Sequence, residues 1–181
     1  MFFFQWEFNM IATKQIAENY SLAKDLEALY KTNRQEFIRQ VKPKIRFAYS
    51  VNDKTKGKFI RRFNGEYNLI EANPNDVITH TDTFQQVKPY HQSTENHINV
   101  GQELSSRVFR VAEHFLSGGW CDVPEIYVNG YGTLLFTDGR HRTALAADCG
   151  LRKMLFVIDN DGLNNLTSRK LFNYKLIISG G

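Results

Sequence analysis

The residues best suited to chemistry are Asp138, Gly139, Arg140, His141, Arg142 and Thr143, consecutive within the stretch "LLFTDGRHRTALAAD" of residues 134–148. Two guanidinium groups can clamp a phosphate, a glycine lets backbone amides approach it, and an imidazole can donate to it or shuttle a proton. Thr143 adds a hydroxyl. Asp138 has two readings: an oxygen that orients a water or holds a metal ion, and an N-cap for the segment that follows. The apolar run before Asp138 reads as a strand and the Ala/Leu-rich run after Gly139 as a helix, so residues 140–142 fall in a helix's first turn. That turn exposes unpaired N–H groups and a partial positive charge, which cationic side chains oppose. The expected partner is therefore an anion, with phosphate the best fit. The competing reading pairs Arg140 or Arg142 with Asp138, Asp122 or Asp148 and leaves His141 as a packing residue.

Other candidates carry less. Glu103 and Arg107 lie four apart on an expected helix, so Glu103 is either a carboxylate for general-base or magnesium chemistry or half of an ordinary ion pair. Ser105 and Ser106 would line the same pocket or face solvent. His80, His91, His97, His114 and His141 follow no standard ligand spacing, so metal ligands stay unassigned. Cys121 and Cys149 lack a CxxC spacing and suggest neither a thiolate zinc site nor a disulfide framework, which fits a reducing cytoplasmic location.

Charge is concentrated. The chain has 181 residues and a formal net charge of +4, yet residues 31–62 hold eleven cationic residues against Glu36 and Asp53. The rest is mildly acidic. Such a segment attracts phosphodiester charge, which makes DNA the expected partner through Lys42, Lys44, Arg46, Lys54, Lys56, Lys58, Arg61 and Arg62. A solvated basic face is the plain alternative. The interleaved Phe37, Phe47, Tyr49, Phe59 and Phe63 would stack on bases or, more simply, pack as core.

These groups need elements to hold them. Composition is that of an ordinary globular protein, 42% hydrophobic and 23% charged, long enough for one sizeable domain with an extension. Ile16, Ala23, Leu26 and Tyr30 predict an amphipathic helix over 11–31. Asn33 followed by Glu36 reads as a capping box opening a second helix that stops by Val41. Residues 45–51 and 58–63 look like a strand pair, and the polar 71–100 like a boundary or active-site loop carrying Tyr90, His91 and His97. Leu104, Val108, Val111, Ala112 and Phe115 predict a helix over 102–116 closed by Gly118 and Gly119. After Pro124 comes a hairpin, residues 126–128 and 134–136 about Asn129 and Gly130. The motif helix then stops at Gly150, "MLFVID" is a strand, and "LTSRKLFNYKLI" is expected as a terminal helix. The opening "MFFFQWEF" reads as a strand or packing edge rather than a signal peptide. No apolar run approaches the roughly 18 residues of a membrane helix, so no membrane partner is expected.

The run "VPEIYVNGYGTLLFTDGRHRTALAADCGLRKMLFVI", residues 123–158, resembles the core of the ParB/sulfiredoxin (ParB/Srx) superfamily: strand, D/G-G-x-H/R-R, helix with small residues, strand. With the preceding helix, the resemblance covers roughly residues 77–160. It implies an α+β fold, a mixed sheet flanked by helices, with the motif cradling nucleotide phosphates. Residues 1–75 would be an N-terminal helical and basic extension and 76–181 the phosphate-binding domain. Sulfiredoxins carry a reactive cysteine where this chain has Arg140, so thiol chemistry is not expected. ParB partitioning proteins continue into a helix-turn-helix and a dimerisation domain, for which about 20 residues leave no room here. "TDGRHRTALAADCG" is also similar to the plasmid fertility-inhibition (Osa-like) group. That similarity implies ATP or another NTP as ligand, Mg2+ with it, ATPase or DNase-type activity, and a conjugation or type IV secretion component as partner. The alternatives are a non-catalytic DNA- or nucleotide-binding module that blocks a partner, and a small-molecule kinase or transferase.

Overall fold

The computed structural model describes residues 22–48, 67–81 and 101–179, with backbone alone at 48 and 101–106. The fold is α+β. Helix α1 runs over residues 22–32, followed by α2 (Arg34–Val41), a 3-10 turn (Lys42–Lys44), β1 (Phe47–Ala48), β2 (Tyr67–Ala72) and α3 (Pro74–His80). Then come α4 (Gly101–Leu116), β3 (Cys121–Asp122), β4 (Glu125–Val128), β5 (Leu134–Asp138), α5 (Arg140–Asp148), β6 (Met154–Asp159), α6 (Asn160–Arg169) and β7 (Tyr174–Ile178).

Five strands form one mixed sheet in the order β5-β4-β6-β2-β7, and β1 and β3 form a separate two-stranded parallel ladder. Within the sheet, β4 runs parallel to β6 and the other neighbours are antiparallel. One sheet face is packed by α3, α5 and α6 through Ile70, Val77, Ile126, Leu134, Ala146, Phe156, Ile158 and Leu166. On the other face lie Leu69, Val123 and Val157. A second core joins α1, α2, α4 and α5, with Tyr30, Phe37 and Phe109 in edge-to-face contact at centroid distances of 5.2 and 5.8 Å.

Helix α5 lies between the two cores. Leu145 belongs to the helical cluster and Ala146 to the sheet cluster, and Thr143 to Ala146 are all buried. The small residues of "TALAA" let helices approach on one side and strands on the other, which a helix buried all round requires. The N-terminal helices are bolted to α5's C-terminal end: Arg34 pairs with Asp148 at 2.6 Å, and Lys42 Nζ donates to the Gly150 carbonyl at 3.0 Å. Cations suit that end of a helix dipole.

Several expectations change. The boundary at residue 75 does not separate two bodies, because β2 is paired on both edges inside the sheet and α1 and α2 share a core with α5. Residues 71–100 are not one long loop: 71–72 finish β2 and 74–80 form α3, capped by Asn73 with Pro74 at the first helical position. The terminal segment is not one helix. Asp159 caps α6 through Gly162 N, Lys170 ends it in the left-handed conformation at φ 51°, and the β-branched end of "YKLII" pairs with β2. Helix α2 opens as expected, with Asn33 Oδ1 accepting from Glu36 N at 3.1 Å, but Glu36 turns to Arg39 instead of closing the capping box. The expected elements within 11–21, 49–66 and 82–100, with Tyr49, Phe59, Phe63, Tyr90, His91 and His97, lie outside the described residues, as does "MFFFQWEF".

Candidate anion site at the first turn of α5

β5 delivers Asp138 to the sheet edge, and the chain turns into α5 through Gly139 at φ +88°. A Cβ there would stand 2.6 Å from Pro124 Cβ and 2.8 Å from its Cα, so both conformation and space demand glycine. Pro124 immediately precedes β4, which pairs with β5 through Glu125 and Asp138. The turn is thus wedged against a neighbouring strand, fixing where α5 starts.

Arg142 reaches back from α5. One of its terminal nitrogens donates to the Asp122 carbonyl at 2.7 Å and the other to Asp138 Oδ2. With only 12% of its side chain exposed, it ties β3, β5 and α5 together. Asp138 Oδ1 accepts from Gly139 N at 2.7 Å. Both Asp138 oxygens are therefore committed, and neither caps the first turn of α5. Thr143 is fully buried, with its hydroxyl donating to the Gly139 carbonyl at 3.1 Å. It closes the turn rather than facing outward.

What remains open is the turn itself. α5 has no side-chain cap, and the N–H groups of residues 140–142 lack an intrahelical acceptor by geometry. Arg140 makes no hydrogen bond or ion pair among the described residues, and His141 Nε2 is buried without a partner. Burial first, and then the nearby Arg140, Arg107 and Arg142 charges, push the His141 imidazole down to about 4. It is neutral at neutral pH. Arg107, exposed on α4, is close enough for its charge to act on His141.

Of the residues singled out in the sequence, Gly139, Arg140, His141, Arg142, Asp138 and Thr143 come together, in different roles from one another. Glu103 lies in α4 where the backbone alone is described, so its carboxylate lies outside the described residues. Among the DNA-contact candidates, Lys42 is held by Gly150 and Arg46 sits over the Trp120 ring at 5.8 Å, while Lys44 is exposed. Lys54, Lys56, Lys58, Arg61 and Arg62 lie outside the described residues. Phe37 is fully buried and Phe47 packs against Phe115 at 5.7 Å. β1 pairs Ala48 with Asp122, whose carbonyl holds Arg142.

Among the described residues no group of three histidine, cysteine or acidic side chains converges, and Asp138 is occupied by Arg142. Burial pushes the Cys121 thiol up to about 11 and the Cys149 thiol up to about 12, so both are protonated at neutral pH. The sequence paired Arg107 with Glu103 and offered Asp138 and Asp122 as arginine partners, but it gave no signal that Arg107 acts on His141, that Pro124 backs Gly139, or that Asp122 is used through its backbone carbonyl, because these come from packing between elements apart in sequence. No helix among the described residues is long and apolar enough to cross a membrane. Comparison with protein-family models, with curated proteins and with solved structures finds no match to this chain.

Proposed function

We propose that the first turn of α5 binds the phosphate of a nucleotide, with Arg140 and the amides of residues 140–142 as ligands and Arg107 and His141 beside them. The observation that carries this reading is a helix terminus with no side-chain cap, next to a guanidinium and a buried imidazole nitrogen that have no partner among the described residues. Native chains satisfy such groups almost without exception, and an anion satisfies all of them at once. Arg142 and Asp138 then belong to the frame of the site and Gly139 to its shape. The basic segment of residues 31–62 would add DNA as a second ligand through its concentration of positive charge.

This reading fits the ParB/sulfiredoxin resemblance and makes the chain a nucleotide- and DNA-binding accessory factor of the fertility-inhibition kind, whose partner would be a conjugation or secretion component. Holding the phosphate is the first reading, supported by the engagement of Asp138 with Arg142 and Gly139. Phosphoryl transfer is the second reading. It is favoured by one observation: a neutral His141 beside the anion can accept a proton. The small-molecule kinase or transferase reading would share the same cradle.

The test is binding and turnover of ATP and CTP, with and without Mg2+ and plasmid DNA, by the native chain and Arg140→Ala. Binding lost in the variant supports the site, and turnover lost with it supports the second reading. DNA affinity that is flat between low and physiological salt would remove the basic segment from the account.

A further inference from the structure

Among the described residues an aspartate or asparagine is followed by glycine at Asn129–Gly130, Asp138–Gly139 and Asp161–Gly162. Such pairs are points where a chain can react with itself, because glycine leaves its own amide nitrogen unshielded beside the preceding side chain's carbonyl carbon. At two of them that nitrogen is engaged. Gly139 N donates to Asp138 Oδ1 at 2.7 Å, with the other oxygen on Arg142, and Gly162 N donates to Asp159 Oδ1 at 2.6 Å. Gly130 is exposed, and its N–H makes no hydrogen bond among the described residues.

The carbon it would attack is in the reverse condition. In the β4–β5 hairpin Asn129 Oδ1 accepts from Tyr131 N at 3.0 Å and from Thr133 N at 2.9 Å. Two donors on a carbonyl oxygen draw charge from its carbon and are already in place for the oxyanion that forms when that carbon is attacked. The loop is braced around them: Asn129 N donates to Thr133 O at 3.1 Å, Gly132 N to Asn129 O at 2.9 Å, and Asn165 to the Val128 carbonyl at 2.9 Å. Arg169 donates to the Gly130 carbonyl, which sets a positive charge beside the amide that must lose its proton.

We propose that Asn129 is a site of spontaneous covalent modification, deamidating through a succinimide closed by Gly130. Hydroxide removes the Gly130 amide proton, and the nitrogen attacks Asn129 Cγ, with charge passing to Oδ1 between its two N–H donors. The Cγ–Nδ2 bond then breaks, and ammonia leaves with a proton from water. Water opens the five-membered ring at either carbonyl, giving aspartate or isoaspartate; nothing is oxidised or reduced. Aspartate leaves the main chain as it was. Isoaspartate inserts a methylene into it where the Asn129–Thr133 and Gly132–Asn129 bonds fix the hairpin register, so it loosens the connection of β4 to β5. The reaction needs no ligand and does not depend on the phosphate site of α5.

The test is peptide mapping by mass spectrometry of the native chain incubated in mildly alkaline buffer, beside the same chain unfolded in guanidinium chloride and the folded Gly130→Ala variant. A product about 1 Da heavier at Asn129 reports the reaction, and backbone fragmentation tells isoaspartate from aspartate. Conversion should be at least as fast in the folded chain as in the unfolded one, since folding supplies the two donors and leaves the nucleophile free. A Cβ at Gly130 meets nothing within 4 Å, so Gly130→Ala should fold with an unchanged melting temperature, and by crowding the nitrogen it should slow conversion by about tenfold or more. Asp138 and Asp161 should keep their ordinary linkage in the folded chain and lose that protection in the unfolded one. Slower conversion in the folded chain than in the unfolded one, or none, would overturn the proposal. So would equal rates in Gly130→Ala and the native chain, or isomerisation at Asp138 or Asp161 that keeps pace with Asn129.

Discussion

Arg142, in the first turn of α5, donates to the backbone carbonyl of Asp122 in β3 at 2.7 Å. With its second bond to Asp138, this makes Arg142 a bracket across three elements rather than a free ligand, and it separates two arginines that look equivalent in sequence.

Arg142→Ala should therefore lower unfolding free energy by about 2–3 kcal/mol, the range for losing charge-assisted hydrogen bonds in a largely buried setting. Arg142→Lys should recover little, since one ammonium cannot span both acceptors. Arg140→Ala should leave stability within about 0.5 kcal/mol, as expected away from packed or bonded groups. Urea titrations of the three variants check this, and equal losses at both positions would remove the distinction.

Gly139→Ala combines a left-handed backbone with a Cβ 2.8 Å from Pro124 Cα. The first costs about 1–2 kcal/mol for an L-residue, and the second adds a shift of β4 against β5, because Pro124 backbone cannot move as a side chain would. The expected loss is about 2–4 kcal/mol, read as a lower urea midpoint at unchanged m-value. A variant as stable as the native chain would show that this turn is not wedged.

His141 ties stability to pH. Its folded pKa of about 4 lies below the ordinary 6.5, so the unfolded chain binds the extra proton between those values. Stability from this group is complete above pH 6.5 and is lost as pH falls toward 4. Because the ring is only partly buried, the difference between native chain and His141→Gln should shrink by about 1–2 kcal/mol over that window. A bound phosphate should raise the His141 pKa, so on acidification from pH 7.5 to 6 the affinity of the native chain for ATP should rise relative to that of His141→Gln, the ligand's own phosphate titration being common to both.

Much of the frame around the site was legible in the sequence. Asn33 before Glu36, the apolar spacing from Val108 to Phe115, Gly150 after α5 and the alternation from Ile126 to Phe136 are local signals, and each element formed near its expected place. What misled was long-range pairing. Tyr174 to Ile178 carries both helical spacing and strand-forming residues, and only the free edge of β2 decides between them. The domain boundary failed for the same reason, since a strand inserted between β6 and β7 announces nothing locally. Within the motif, the residue types fixed the place of the turn, but the division of labour between Arg140 and Arg142 depends on Asp122, eighteen residues before Arg140.

The central claim is that the open first turn of α5 holds phosphate through Arg140. Calorimetric titration of ATP into the native chain and Arg140→Ala, with their urea midpoints measured alongside, tests it most directly. The account predicts binding by the native chain, weakened at least about tenfold in Arg140→Ala at an unchanged midpoint, from the loss of one charge-assisted contact. Equal affinities for the two proteins, or no heat from ATP, CTP or inorganic phosphate with the native chain, would contradict it.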